Sequence, residues 1–101
     1  LTLRVDHTPG HTPGSVIFTT PTPEGVEVII AGDTLFAGSI GRTDLPGGDH
    51  AQMMASLRDK LLVRPDTAVV LPGHGSTTTI GRERHSNPFL QGLAPAPGRG
   101  L

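Results

Sequence analysis

Three side chains of the kinds that bind divalent metals lie in glycine-rich turns, each after a run of β-forming residues. His11 lies in the turn at residues 9–14, Asp33 directly follows Gly32, and His74 stands between two glycines. Glycine lets the backbone bend closely, and loops at strand ends are where binding sites are normally built. Because the three residues lie far apart in the sequence, they cannot form a local zinc knuckle. The pattern leaves open a metal site that only the folded chain assembles.

Each of these residues also has a purely structural interpretation. A histidine in a turn often serves as a hydrogen-bonding surface residue, and an aspartate after a strand can close an Asx-turn. The spacing alone leaves both interpretations open. His7 and His85 lack glycine on both sides, and we expect no ligand role for them. His50 falls in the first turn of an expected helix and is interpreted as a residue of its cap region.

The hydrophobic pattern predicts a layered α/β or α+β fold, built from short strands followed by helices. A helix is expected to begin after Asp49, whose side chain can cap it together with Gln52, and to stop before Pro65. A second, short helix is expected at residues 80–86. The glycine-rich segment at residues 37–48 reads as a long loop, a feature that is usually functional or disordered. Strands are expected at residues 1–5, 15–19, 26–31 and 66–71.

Composition excludes several classes of partner. The 101 residues carry 8 basic and 9 acidic side chains, a net charge of −1, which disfavours a nucleic-acid partner. There is no cysteine, so disulfides and thiolate metal sites are excluded. The longest apolar runs, at residues 28–31 and 68–71, are too short to span a bilayer, so we expect no membrane partner. The lack of cysteine and of a signal-type segment favours a cytoplasmic location.

Four motifs occur in a fixed order: His7-Thr8-Pro9-Gly10-His11-Thr12-Pro13-Gly14-Ser15, Ala31-Gly32-Asp33-Thr34-Leu35-Phe36, Gly41-Arg42-Thr43-Asp44 and Pro72-Gly73-His74-Gly75. Together they resemble the metallo-β-lactamase superfamily, and within it the glyoxalase II (hydroxyacylglutathione hydrolase)-like branch. The resemblance implies an α/β (α+β) fold that is the C-terminal half of a metallo-β-lactamase αββα sandwich. Residues 1–91 would form this half domain and residues 92–101 a flexible Gly/Pro/Ala-rich tail. The chain begins with Leu, inside a strand-like segment, which also predicts a fragment.

The same resemblance implies a role for each candidate residue. His11 would complete a first metal site, His74 a second, and Asp33 would be the catalytic residue that bridges both ions. The full site would hold two Zn²⁺, with Fe or Mn as alternatives, and a metal-held hydroxide would attack the carbonyl of an S-2-hydroxyacyl thioester. Arg42, in the long loop, would bind substrate or brace that loop with Asp44. The family's His-x-His-x-Asp-His motif, which supplies four further ligands, does not occur in these residues.

Two other functions remain open at this stage. One is a mono-iron enzyme similar to persulfide dioxygenases, although the motif around His74 favours the two-metal hydrolases. The other is a non-catalytic fragment that pairs with a missing N-terminal half or with itself, because half a sandwich leaves an apolar face and an edge strand uncovered. In either case we expect the isolated chain to be inactive. The expected partner of the parent protein is a small-molecule thioester substrate.

Overall fold

The computed structural model describes residues 3–93, which form a mixed α/β unit with one main sheet. The seven strands are β1 (Arg4–His7), β2 (Val16–Pro21), β3 (Glu27–Gly32), β4 (Leu35–Phe36), β5 (Ser39–Ile40), β6 (Val69–Pro72) and β7 (Thr78–Thr79). The helices are α1 (His50–Ser56), which continues as a π-helical segment (Leu57–Leu61), and α2 (Ile80–Ser86). The predicted tail from residue 94 onward lies outside the described residues. Leu93, within its predicted start, packs against the core.

The main sheet has the strand order β1-β2-β3-β6-β7, and β4 pairs with β5 in a separate hairpin. Neighbours in the main sheet are antiparallel except for β3 and β6, which run parallel. A parallel pair needs a long crossover, and here the β4–β5 hairpin and α1 supply it. Since parallel strands end at the same edge of a sheet, the residues that follow β3 and β6 are brought together there.

One face of the sheet packs against the helices and forms the hydrophobic core. Alternate residues of β2, β3 and β6 point to this face, as the period of two in a strand requires. They meet the apolar face of α1 and its continuation, where Met53, Leu57 and Leu61 recur every fourth residue. The fully or almost fully buried apolar residues are Ile17, Ile29, Ala31, Leu35, Met53, Leu57, Leu61, Leu62, Ala68, Val70, Ile80 and Leu90.

The opposite face of the sheet is apolar and uncovered. The register of the strands places Val5, Phe18, Ile30 and Leu71 in one row across β1, β2, β3 and β6. Val5, Ile30 and Leu71 are exposed, and Phe18 is half-buried. Four strands about 4.8 Å apart and about five residues long make a face of roughly 300 Å². A face of this area is comparable to the largest apolar patch on a typical monomer, a patch that is often functional.

Helix α1 begins at its predicted cap but does not continue as a regular α-helix. Asp49 has an extended backbone and its side chain accepts a hydrogen bond from Gln52 N, as expected. Its own N–H donates to Gly10 O, so a loop contact replaces the return half of a capping box. At the other end, Leu62 N donates to Leu57 O, the i to i+5 bond of a π-helix. The wider turn places both Leu61 and Leu62 in the core.

The remaining expectations are largely met, with shifts of a few residues at the strand ends. Helix α2 has its predicted bounds, with Thr79 accepting from Arg82 N as the cap. The segment at residues 37–48 is not wholly a loop, because β5 lies within it. The strand β7 was not predicted, since two residues are too few to show a pattern. Within residues 3–93, no helix is long and apolar enough to cross a membrane.

Candidate metal centre

The carboxylate of Asp33 lies between the imidazole rings of His11 and His74. His11 Nε2 is 3.7 Å from Asp33 Oδ2, and His74 Nδ1 is 3.5 Å from Asp33 Oδ1. Each histidine therefore faces a different oxygen of the same carboxylate. The fold brings together the three residues that the sequence singled out as ligands, from three separate loops.

These separations fit a carboxylate that bridges two metal ions. A tetrahedral ion bound at about 2.0–2.2 Å from nitrogen and oxygen holds those two atoms about 3.3–3.5 Å apart. The two nitrogen–oxygen distances, 3.7 and 3.5 Å, are close to this range and longer than a normal hydrogen bond. Imidazole nitrogen and carboxylate oxygen form a donor set that suits zinc, iron and manganese.

A backbone carbonyl orients the ring of His11. His11 Nδ1 donates a hydrogen bond to Arg42 O at 2.8 Å, which places the proton on Nδ1. The lone pair of Nε2 is then directed at Asp33. Metal-bound histidines commonly have their second nitrogen fixed in this way. No residue pattern could have predicted this contact, because any residue at position 42 offers the same carbonyl.

The loop that carries His11 is fixed on helix α1. Ser56 Oγ donates to Pro9 O at 2.7 Å, and Asp49 N donates to Gly10 O at 2.8 Å. Gly10 has φ of +147°, and a Cβ there would lie 2.5 Å from Met53 N. Only glycine allows the loop to lie this close to the helix.

His74 is held against Asp33 by the parallel strand pair. Gly73 N donates to Gly32 O at 2.7 Å, which joins the ends of β3 and β6. A Cβ on Gly73 would lie 2.9 Å from Asp33 Oδ1, so glycine leaves room for the carboxylate. The ring of Phe36 packs on that of His74 with centroids 4.7 Å apart. This aromatic contact was not predicted, and it restricts a side chain that is 77% exposed.

Arg42 forms an ion pair rather than a free anion-binding site. Arg42 Nε and Nη2 donate to the two carboxylate oxygens of Asp44 at 2.7 and 2.9 Å. The hydrogen bonds from Arg42 are the main reason that the pKa of Asp44 is lowered to about 2. Both side chains are exposed. The pair braces the loop, one of the two roles considered for Arg42, and binding of substrate by this side chain stays a prediction.

The other histidines have structural contacts or none. His7 Nε2 donates to Pro13 O at 2.6 Å, and His50 Nδ1 shares a hydrogen bond with Thr43 Oγ1 at 3.3 Å. His85 is exposed on α2. In the part of the chain that the structure describes, no group of three His, Cys, Asp or Glu side chains is arranged to hold one ion.

Comparison with known proteins gives the same family as the motifs. Residues 1–74 match the metallo-beta-lactamase superfamily. The chain is 53% identical over 96 residues to the uncharacterized protein Rv2581c of Mycobacterium tuberculosis, covering 93% of this chain and 43% of that protein. It is 50% identical over 84 residues to the hydroxyacylglutathione hydrolase GloC of Haemophilus influenzae, covering 83% of this chain and 38% of GloC. The chain thus spans about two fifths of the length of these relatives.

Solved structures agree in fold. The BLEG-1 B3 metallo-beta-lactamase superposes with a TM-score of 0.80 and 50% identity, over 89% of this chain and 42% of that one. TTHA1623, solved in a di-iron-bound form, gives a TM-score of 0.78 and 50% identity, over 87% of this chain and 42% of that one. The fold is thus part of the metallo-β-lactamase sandwich, as the motifs implied. The family match spans most of the described residues and includes all three candidate ligands. The chain therefore belongs to the metallo-β-lactamase superfamily, whose members are generally metal-binding hydrolases.

Proposed function

We propose that this chain contributes one half of the active site of a metal-dependent hydrolase that cleaves S-2-hydroxyacyl thioesters. The observation that carries the proposal is the placement of His11 and His74 at different oxygens of Asp33. His11 and Asp33 would hold one ion, and Asp33 and His74 the other. The similarity to GloC, whose name is hydroxyacylglutathione hydrolase, supports this substrate class.

Each residue of the centre has a distinct task in this scheme. Divalent ions bound there supply Lewis acidity and make water a usable nucleophile at neutral pH. Asp33, whose two oxygens face different histidines, would be shared by the two ions and would offset part of their charge. Arg42 O keeps the His11 lone pair directed inward. Two Zn²⁺ are proposed, and Fe is an alternative because TTHA1623 was solved with two irons; Mn suits the same ligands.

The position of His74 favours a two-metal hydrolase over a mono-iron enzyme similar to persulfide dioxygenases. A site with one ion would need only His11 and Asp33 from this chain. His74 would then have no reason to face the second oxygen of Asp33 at 3.5 Å.

The cytoplasmic location expected from composition stays a prediction.

The uncovered sheet face is proposed to receive a second β-sheet from the rest of a longer protein. Two observations support this occupant: the chain spans about two fifths of its relatives, and each proposed ion has only two ligands among the described residues. An element that covers the row containing Ile30 and Leu71 would reach the edge where Asp33 and His74 lie. A second copy of this chain would cover the face, but it would not supply the family's His-x-His-x-Asp-His motif, which does not occur in these residues.

The activity is tested by replacing the matched segment of GloC with this chain. The chimera, loaded with Zn²⁺, is expected to release thiol from a 2-hydroxyacyl glutathione thioester. Asp33→Asn and His74→Ala are each expected to lower kcat/KM by about 100-fold or more, since even residues that only support ligands contribute 10–100-fold. Glu24→Gln, which replaces a carboxylate in an exposed turn away from the centre, is the matched control and should keep kcat/KM within roughly threefold of the parent value. A folded chimera that releases no thiol, or that tolerates Asp33→Asn, contradicts the proposal.

Binding to the uncovered sheet face is tested by adding, as a separate fragment, the part of GloC that this chain does not match. The isolated chain should form a one-to-one complex with it, detected by analytical ultracentrifugation. Ile30→Glu should abolish the complex, whereas Glu24→Gln, in an exposed turn away from that row, should not. A homodimer of this chain that is lost in Ile30→Glu, and that the added fragment leaves intact, would show that a second copy occupies the face.

A further inference from the structure

We infer that Glu83 in helix α2 and Asn87, which caps the C-terminal end of that helix, are positioning residues for the metal centre, acting through the β4–β5 hairpin. The inference rests on the proposed function, because it concerns the same three ligands. Neither residue touches His11, Asp33 or His74. Both instead hold the turn of the hairpin, which connects to all three ligands.

Glu83 is a buried carboxylate with a complete set of hydrogen-bond donors. It is 1% exposed, and Oε1 accepts from Gly38 N at 2.9 Å. Oε2 accepts from Thr78 Oγ1 at 2.6 Å. Gly38 lies between β4 and β5, so this contact fixes the tip of the hairpin to α2.

Asn87, one helical turn further along, makes the second contact. Its Nδ2 donates to Ser39 O at 3.0 Å and to Glu83 Oε1 at 2.9 Å. Asn87 has an extended backbone, and its N–H donates to Glu83 O at 3.0 Å, so this helix end holds both side chains beside the same turn of the hairpin. The pair therefore holds two consecutive residues of the hairpin, one through its N–H and one through its carbonyl.

The hairpin transmits this placement to each ligand. Asp33 lies two residues before β4, and Arg42, whose carbonyl orients His11, lies two residues after β5. Gly41 N donates to Thr34 O at 3.1 Å and closes the base of the hairpin. Phe36, in β4, packs on His74. A shift of the hairpin would thus move the partners of both histidines.

The chemistry of Glu83 points to a positioning role rather than simple packing. Within residues 3–93, no Lys, Arg or His nitrogen forms an ion pair with its carboxylate. A buried carboxyl group without such a partner is unfavourable, and an apolar residue usually fills such a position at lower cost. A carboxylate can accept from Gly38, Thr78 and Asn87 at the same time, which an apolar side chain cannot. The geometry of the hairpin tip depends on these three bonds.

The test uses the 101-residue chain without metal and reads the ring of His11 by ¹⁵N NMR. In the parent chain, the ring nitrogens should show a single tautomer with the proton on Nδ1. Glu83→Ala should shift the ring toward a mixture of tautomers, and it should weaken Zn²⁺ binding by about tenfold. Glu83→Gln should restore the parent spectrum, since its carboxamide oxygen still accepts from Gly38 N.

The matched control is Thr79→Ala, which removes the cap of the same helix without touching the hairpin. The spectrum of each variant is recorded at the same number of degrees below its own Tm. Thr79→Ala should keep the parent tautomer, and an equal change in both variants would overturn the inference. If Glu83→Ala does not fold, Asn87→Ala is read against the same control. Because the tautomer is measured without metal or substrate, a failed thioester assay refutes the proposed function but leaves this result standing.

Discussion

Replacing Gly10 by alanine tests whether the His11 loop owes its position to a close approach that only glycine permits. Gly10 is buried with φ of +147°, and an added Cβ would lie 2.5 Å from Met53 N in the first turns of α1. The nearest atoms belong to backbone and to a fully buried residue, so they cannot move aside easily. The loop must then lift away from α1, and His11 must move with it.

The expected cost follows from two separate effects. A non-glycine residue in this region of φ costs about 1–3 kcal/mol. Forcing an extra carbon into a packed contact costs about 1–3 kcal/mol more. Gly10→Ala should therefore lower the free energy of unfolding by about 2–6 kcal/mol, a large part of the 5–15 kcal/mol typical of a domain.

Gly14→Ala provides a matched control within the same loop. A Cβ on Gly14 meets no atom within 4 Å, and its φ lies outside the glycine region. This change should alter stability by less than about 1 kcal/mol. Urea unfolding followed by circular dichroism should place the Gly10→Ala midpoint lower by about 1 M or more, given an m-value of about 1–3 kcal/mol/M. Equal midpoints for the two variants would refute the packing argument.

Three further outcomes are expected. Leu57→Ala, at a fully buried core position, should lower the free energy of unfolding by about 3–5 kcal/mol in the same urea assay while the ring shifts of the histidines persist. NMR titration of the Asp44 carboxyl should give a pKa of about 2, below the ordinary 3.8. Its contribution to the free energy of unfolding is therefore fully present above about pH 4 and is lost as the pH falls through about 2. Arg42→Gln should raise the pKa of Asp44 toward 3.8, because the hydrogen bonds from the guanidinium are lost. Phe36→Leu removes a ring contact worth about 0.5–1.5 kcal/mol, so calorimetry should show Zn²⁺ affinity at His74 lower by up to about tenfold.

Local sequence signals predicted the elements whose causes are local. The bounds of α2 and the cap at Asp49 follow from side chains that bond to the backbone three residues on. The β-branched residues of β2 and β3 gave those strands to within one or two residues. The π-helical turn at residues 57–61 was not predicted, because it depends on fitting two consecutive leucines into a core that other elements form.

The candidate ligands could be named from sequence because residue type and flanking glycine are themselves the signal. His11, Asp33 and His74 were identified in this way, and the fold brings them together at the ends of β3 and β6 and on the loop after β1. The contacts that orient them could not be found in this way. Arg42 acts on His11 through a carbonyl that every residue possesses, and Glu83 lies at a distance from all three ligands.

From the amino-acid sequence alone, the candidate metal ligands, the turns that carry them and the superfamily of the chain could be identified. These properties depend on residue types and short motifs. The folded chain was needed to show that each histidine faces a different oxygen of Asp33, and that one face of the sheet is apolar and uncovered. Both depend on the parallel pairing of β3 with β6, a contact between residues about forty positions apart whose register is set by packing of the whole core rather than by any local pattern.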